Sequence, residues 1–242
     1  MTARVLELGL RPYREVYDLQ RELHERVRTG RDPETWIFVE HPPVITLGRN
    51  AKTANILLSR EVLAQRGVDV VETERGGDVT YHGPGQLVVY TIRRLERFRE
   101  IVPLVRALEG AVIEACAGFG VHGERFADHA GVWVGNNQLC AIGLSVRKMT
   151  SMHGIALNVS NELSYDQLIN PCGLTDRGLT SLSRETGRAI SMDDAKSALL
   201  GAFAREFDLE CVTSSAAPVA PRSVVLRQAQ DDNVIATTRV VA

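Results

Sequence analysis

Long apolar runs are missing from this chain: no stretch approaches the length of a membrane span, and Met1 to Arg14 carries charges in place of an apolar signal core. The expectation is a cytoplasmic protein. Charge of one sign is missing too, since 28 basic side chains face 30 acidic ones for a formal net charge of -2. No global field favours nucleic acid or a membrane surface, so a charged partner must be met by a local patch. The four cysteines, Cys116, Cys140, Cys172 and Cys211, are scattered, with no Cys-x-x-Cys pair to suggest zinc or a redox couple. No Gly-x-x-x-x-Gly-Lys phosphate loop and no internal repeat occurs.

What is present is enough for one sizeable core: 242 residues, 44% of them hydrophobic. Arg4 to Leu8 alternates as a short strand, and Pro12 opens an amphipathic helix through Val27 that Gly30 ends. Thr35 to Glu40 and Val44 to Leu47 read as strands split by His41-Pro42-Pro43. Ser59 caps a helix through Arg66, and Val68 to Thr73 and Leu87 to Ile92 resume strand character. Pro103 opens a helix to about Gly118; Gly131 to Val134, Gln138 to Val146 and Gly154 to Val159 read as strands, with a tight turn at Gly135-Asn136-Asn137. Ser191 to Asp194 resembles a capping box ahead of a helix reaching about Phe207. Strands and helices in mixed order indicate an α+β fold, a mixed sheet with packing helices. We expect one domain over residues 1–212 and a flexible tail over 213–242, where small residues and proline replace any period.

The stretch Arg75-Gly76-Gly77-Asp78-Val79-Thr80-Tyr81-His82-Gly83-Pro84-Gly85-Gln86 carries chemistry as well as turns. Glycine-rich backbone between strands is commonly a plain turn, but bare backbone flanked by Arg75, Thr80, Tyr81 and His82 also suits close approach to a ligand. Cys172 sits between Pro171 and Gly173, a stiff setting of the kind that holds a nucleophile near attack geometry. A lone cysteine is more often a small buried hydrophobe, and that reading holds for Cys116, Cys140 and Cys211. His82 and His153, each close to glycine, are candidates for proton transfer; His24, His41, His122 and His129 read as structural or surface groups.

Together these segments resemble the octanoyltransferase family of lipoate biosynthesis. The resemblance runs from about Leu8 to Phe207 and rests on Arg75-Gly76-Gly77, Thr80 to Gln86, Gly131 to Val134, Ala141-Ile142-Gly143, His153-Gly154, Ala156-Leu157-Asn158 and Asn170-Pro171-Cys172-Gly173. It implies the biotin/lipoate protein ligase-like fold and an acyl thioester on Cys172. It implies acyl-chain binding by Arg75, Gly76, Gly77, Asp78, Val79, Thr80, Tyr81 and His82, by Ala141, Ile142 and Gly143, and by Gly154, Ile155 and Ala156. The donor it implies is octanoyl-acyl carrier protein, and the acceptors are lipoyl domains of 2-oxoacid dehydrogenases and the glycine cleavage H protein. No nucleic acid, membrane, metal or other cofactor is expected, and the chain is expected to act as a monomer. Carrier proteins are acidic as a class, so Arg93, Arg94, Arg97 and Arg99 form a candidate docking patch, although such a run is usually a solvated face.

One departure stands out: the family pattern has a lysine ahead of Ala-Ile-Gly, paired with the cysteine, and this chain has Gln138. An amide takes no proton and carries no charge. An unperturbed thiol with a pKa of about 8.5 is only about 3% thiolate at pH 7, but its higher intrinsic nucleophilicity offsets most of that loss. A missing general acid/base costs more, about a hundred- to ten-thousand-fold. Two further readings stay open: an ATP-dependent lipoate or biotin ligase, and a non-catalytic acyl- or lipoyl-domain-binding relative that lost the dyad. If position 138 limits turnover, Gln138→Lys raises it in a steady-state acyl-transfer assay; an unchanged rate would remove the position from the rate-limiting step.

Overall fold

The computed structural model describes residues 2–126, 129–170 and 177–214. Eleven strands and five α-helices follow one another as β1 (Thr2–Leu10), α1 (Tyr13–Arg28), β2 (Thr35–Glu40), β3 (Val44–Leu47), α2 (Arg60–Gln65), β4 (Asp69–Glu72), β5 (Val79–His82), β6 (Gln86–Ile92), α3 (Ile101–Ala117), β7 (Gly131–Val134), β8 (Asn137–Arg147), β9 (Thr150–Asn158), β10 (Gly178–Leu179), α4 (Leu182–Thr186), α5 (Met192–Glu206) and β11 (Glu210–Ser214). The large sheet has the order β10-β8-β9-β6-β2-β1-β11, with β7 also on β8. Its centre, β8-β9-β6-β2, is antiparallel, while β1 runs parallel to both β2 and β11. A small sheet, β4-β3-β5, stands apart from it.

The two faces of the large sheet bury different cores, because successive strand side chains alternate between them. One face takes Trp36, Phe38, Val89, Ile155 and Leu157 against α3 and α5, with Trp36 in edge contact with Phe203 at 5.0 Å. The other takes Ile37, Val39, Val88, Tyr90 and Ala156 against Tyr13, Val16, Tyr17 and Leu23 of α1. The small sheet has its own core around Ile45, Leu63, Val79 and Ile169.

Local signals place most boundaries. The hydroxyls of Ser59 and Ser191 accept from Val62 N and Asp194 N, the N-caps of α2 and α5. Gly135, at φ +54, makes the two-residue turn between β7 and β8. Helix α3 begins two residues before Pro103, which occupies its first turn, where a missing N–H costs nothing.

Three differences from the sequence reading have physical causes. Val79–His82 is a strand paired antiparallel with β3, its Val-Thr-Tyr strand propensity hidden by flanking glycines. Strand β9 begins at Thr150, four residues before Gly154, because Lys148 and Met149 take the left-handed turn conformation (φ 48 and 60) that glycine usually marks. The last strand carries on through Thr213 and Ser214, paired with Val5 and Leu6, two residues past the expected start of the tail.

Candidate active site

A cleft of about 530 Å3, including its open mouth, lies between the large sheet and the loop leading into β5. Its floor is the β6-β9-β8 ladder, where Ala141 pairs with Ala156, Ile142 with Ile155, Gly143 with Gly154, and Val88 with Ala156. Its roof is Arg75, Gly76, Gly77, Asp78, Thr80 and His82. The roof is pinned by Gly76 N donating to Leu144 O at 2.8 Å and by the turn after β3, where Arg49 N donates to Arg75 O and Asn50 N to Gly77 O. The Arg75 guanidinium, buried to 8% exposure, donates to Thr46 O at 2.6 Å and to Thr46 Oγ1, so its position is fixed by β3.

The structure thus brings together segments that are far apart in sequence, and it sorts them. Gln138, Ala141, Ile142, Gly143, His153, Gly154, Ile155 and Ala156 all line the cleft. Val79 and Tyr81 do not: the two-residue period of β5 sends both to the other side, Val79 into the small-sheet core and the Tyr81 ring onto Tyr165 at 4.6 Å. The side chains of those two residues therefore face away from the cleft. Cys172 lies outside the described residues, as do Pro171 and Gly173. Its described flanks are Asn170, whose N–H donates to Asn55 O, and Gly178–Leu179, which pair with Asn137 and Gln138.

Lining residues absent from the sequence reading are Tyr13, Val88, Tyr90 and Ala130. Nothing local marks them; β6 and α1 deliver Val88, Tyr90 and Tyr13 only once the sheet has formed, and Ala130 immediately precedes β7. His41, read as structural, is fully buried behind this wall, with Nδ1 at 2.7 Å from Arg11 O and Nε2 at 2.8 Å from Tyr90 Oη. The Tyr13 ring lies 5.2 Å from His41 and stacks on His82 at 6.0 Å.

Burial decides the protonation of these rings. Desolvation pushes His82 down to about 3 and His41 down to about 4, and lowers His153 as well despite Glu74 beside it. The Gln86 amide is oriented by Nε2 donating to Asn158 Oδ1, so its Oε1 accepts from Nδ1 of neutral His82 at 2.7 Å, which puts the ring lone pair on Nε2. A histidine held at about 3 is a weak base at neutral pH, which counts against His82 as a candidate for proton transfer. Burial pushes Cys116 up to about 12 and Cys140 and Cys211 above the ordinary thiol value, so no cysteine among the described residues is an activated nucleophile.

Gln138 is buried to 8% exposure, with its backbone carbonyl accepting from Thr180 N at 3.0 Å. The chain has three lysines and none lines the cleft. Lys52 is exposed, Lys196 pairs with Asp193 on α5, and Lys148 caps the hairpin beyond Arg147. Nine strand positions separate Gln138 from Arg147, about 30 Å at about 3.3 Å each. The arginine patch belongs to that remote end, since Arg94 bridges to Thr150, while Arg93 is engaged by Glu34 at 3.3 Å and by the Phe207 ring. It does not flank Gln138. Among the described residues no group of His, Cys, Asp or Glu is arranged to hold a metal ion, and no helix is long and apolar enough to cross a membrane.

The fold is shared with lipoate ligases. A lipoate-protein ligase A bound with ATP superposes with a TM-score of 0.75 at 16% identity, covering 90% of each chain. A bi-partite lipoate protein ligase from Thermoplasma acidophilum gives 0.69 at 15% identity, covering 90% of this chain and 88% of that one. The model of the lipoyl protein ligase A/B catalytic domain matches residues 12–204. Octanoyltransferases of Rubrobacter xylanophilus and Chloroflexus aggregans are 44% and 43% identical, over 81% and 88% of this chain and 89% and 98% of theirs. The chain belongs to the lipoyl protein ligase A/B catalytic family, and within it to the octanoyltransferases. It is an acyltransferase enzyme.

Because His41 and His82 titrate near 4 and 3 when folded against 6.5 ordinarily, only the unfolded chain gains their protons as pH falls below about 6.5. Their stabilising effect is therefore complete above that pH and is lost on acidification, by about 1.4 kcal/mol per pH unit for each ring. Urea unfolding at about pH 6.5 and pH 5 is expected to differ by about 3 kcal/mol from these two rings. A flat profile would mean the rings are hydrated.

Proposed function

We propose that this chain moves an octanoyl group from octanoyl-acyl carrier protein to a lysine of lipoyl domains, through an acyl thioester on Cys172. The observation that carries the reading is the convergence of Arg75–Asp78, Thr80, His82, Ala141–Gly143 and Gly154–Ala156 on one cleft. The floor offers the side chains of Val88, Ala141 and Ala156, and the backbone between them, to an aliphatic tail, whose roughly six CH2 groups are worth about 5 kcal/mol on burial.

In the first half reaction the Cys172 sulfur attacks the thioester carbonyl. A C–S bond to the enzyme forms, the bond to the carrier's phosphopantetheine sulfur breaks, and that thiol leaves with a proton. In the second, the lysine amine attacks, the C–N bond forms, and the Cys172 thiol is regenerated. Thioester to amide is downhill, so neither ATP nor a metal is required. The acceptors in this reading are lipoyl domains of 2-oxoacid dehydrogenases and the glycine cleavage H protein. The bi-partite lipoate protein ligase from Thermoplasma acidophilum, which acts in an archaeal lipoylation system with its E2 lipoyl domain, supports that class of acceptor.

Gln138 cannot act as the lysine does, but its amide N–H can donate to the carbonyl oxygen as negative charge develops there. Loss of the dyad lysine then lowers turnover without closing the route.

Intact mass spectrometry after brief incubation with octanoyl carrier protein is expected to show an octanoyl adduct on the wild type and none on Cys172→Ala. An adduct on both would move the nucleophile elsewhere; none on either, with the thioester still bound, would leave a binding protein without transfer.

A further inference from the structure

Two buried side-chain amides lead from the segment before α4 to the cleft, and the main chain fixes which way each one points. Asn158 Nδ2 donates to Thr180 O at 3.0 Å, and Gln86 Nε2 donates to Tyr81 O at 3.3 Å. A main-chain carbonyl only accepts, so neither amide can be turned over. Asn158 Oδ1 therefore accepts from Gln86 Nε2 at 2.9 Å, and Gln86 Oε1 is left to accept from His82 Nδ1 at 2.7 Å. The His82 lone pair is then on Nε2. The ring lines the cleft, and no described residue is hydrogen-bonded to that nitrogen.

Strand register puts this ring at one end of the acyl path. Gln86 pairs with Asn158, and the next row of the ladder is Leu87, Leu157 and Cys140, so the amides stand level with the start of β8, at Gln138. Thr180 ties the same end together, its N donating to Gln138 O at 3.0 Å. Further along the same face come Val88, Ala156 and Ala141, then Tyr90, Gly154 and Gly143, and there Gly76 N on Leu144 O closes the roof onto the floor. From Gln86 to Tyr90 is four strand positions, about 13 Å at about 3.3 Å each. An extended octanoyl chain, with C–C bonds of about 1.5 Å, measures about 9 Å and fits between the amides and the closure. Its tail takes the apolar rows and its carbonyl the end that holds His82.

We propose that Gln86 and Asn158 are positioning residues that hold the Nε2 lone pair of His82 towards the reacting carbonyl, where it accepts a hydrogen bond from the amine of the lysine that takes up the acyl group. The proposal rests on the reading of the cleft as the acyl site. A thioester offers only acceptors at its reacting carbon, whereas the incoming amine offers N–H donors, so the lone pair serves the second half reaction. Burial keeps the ring neutral at pH 7, and a neutral ring does not repel a lysine that arrives as an ammonium. In the step itself the amine nitrogen forms the C–N bond, the C–S bond of the acyl enzyme breaks, and the proton shed by nitrogen goes to the departing sulfur. The imidazole orients the amine and keeps its own single proton.

The ring tautomer and the two half reactions are the test. In protein labelled with 15N-histidine, with His82→Asn to identify the signal, the His82 proton is expected on Nδ1 in the wild type and shifted towards Nε2 in Gln86→Met. Single-turnover kinetics separate loading from octanoyl carrier protein from transfer to a lipoyl domain. His82→Asn keeps a side-chain nitrogen for Gln86 but has no acceptor at the Nε2 position, and transfer is expected to slow about tenfold more than loading, the worth of one net hydrogen bond. Equal slowing of both steps would mark a packing role and overturn the proposal, as would a wild-type ring protonated on Nε2. Should octanoyl fail to load on the wild type, the transfer reading fails separately, and the tautomer, read without any acyl group, still decides the positioning: a proton on Nδ1 upholds it and one on Nε2 overturns it.

Discussion

One hydrogen bond joins the two sheets at the point where the cleft exists: Gly76 N donates to Leu144 O at 2.8 Å. Through it the loop that grows out of the small sheet is laid over the β8–β9 ladder. The Arg75 guanidinium, held on β3 by Thr46, reinforces the same junction from behind. The space between roof and floor is set by backbone, since Gly76 and Gly77 above and Gly143 and Gly154 below carry no side chains. A Cβ at Gly143 would already lie 3.3 Å from Arg75 Cδ and from Gly76 O.

Around that slot the polar groups are kept uncharged or anchored. Burial favours neutral His41, His82 and His153 and raises Tyr13 and Tyr90 above the ordinary phenol range. None of these imidazoles and phenols is charged at pH 7. The same burial that makes the cleft receptive to an apolar chain depresses the basicity of its imidazoles.

Much of this was legible before any coordinates. The Pro42-Pro43 break delimits β2 and β3, and Ser59 and Ser191 mark helix starts, because those signals are local and steric. The glycine-rich stretch announced a binding loop, yet the same glycines disguised β5, and with it the alternation that turns Val79 and Tyr81 away from the cleft. The left-handed Lys148-Met149 turn carries no glycine and hid the start of β9. Tyr13 and Tyr90 were out of reach for another reason: they meet only because α1 packs on β6 and β9, a tertiary event with no sequence signature. The arginine run was visible, but its distance from Gln138 follows from β8 register alone.

The account stands on the acyl chain lying between the two sheets, and photolabelling tests that most directly. A carrier protein bearing an octanoyl chain with a diazirine near its terminus would be irradiated on the enzyme and the label mapped by tandem mass spectrometry. Labels on peptides containing Arg75–His82, Ala141–Gly143 and Gly154–Ala156 are the expected result. Labels concentrated instead on the depression over Val5, Glu7, Phe38 and Lys196, on the opposite side of the large sheet, would contradict it.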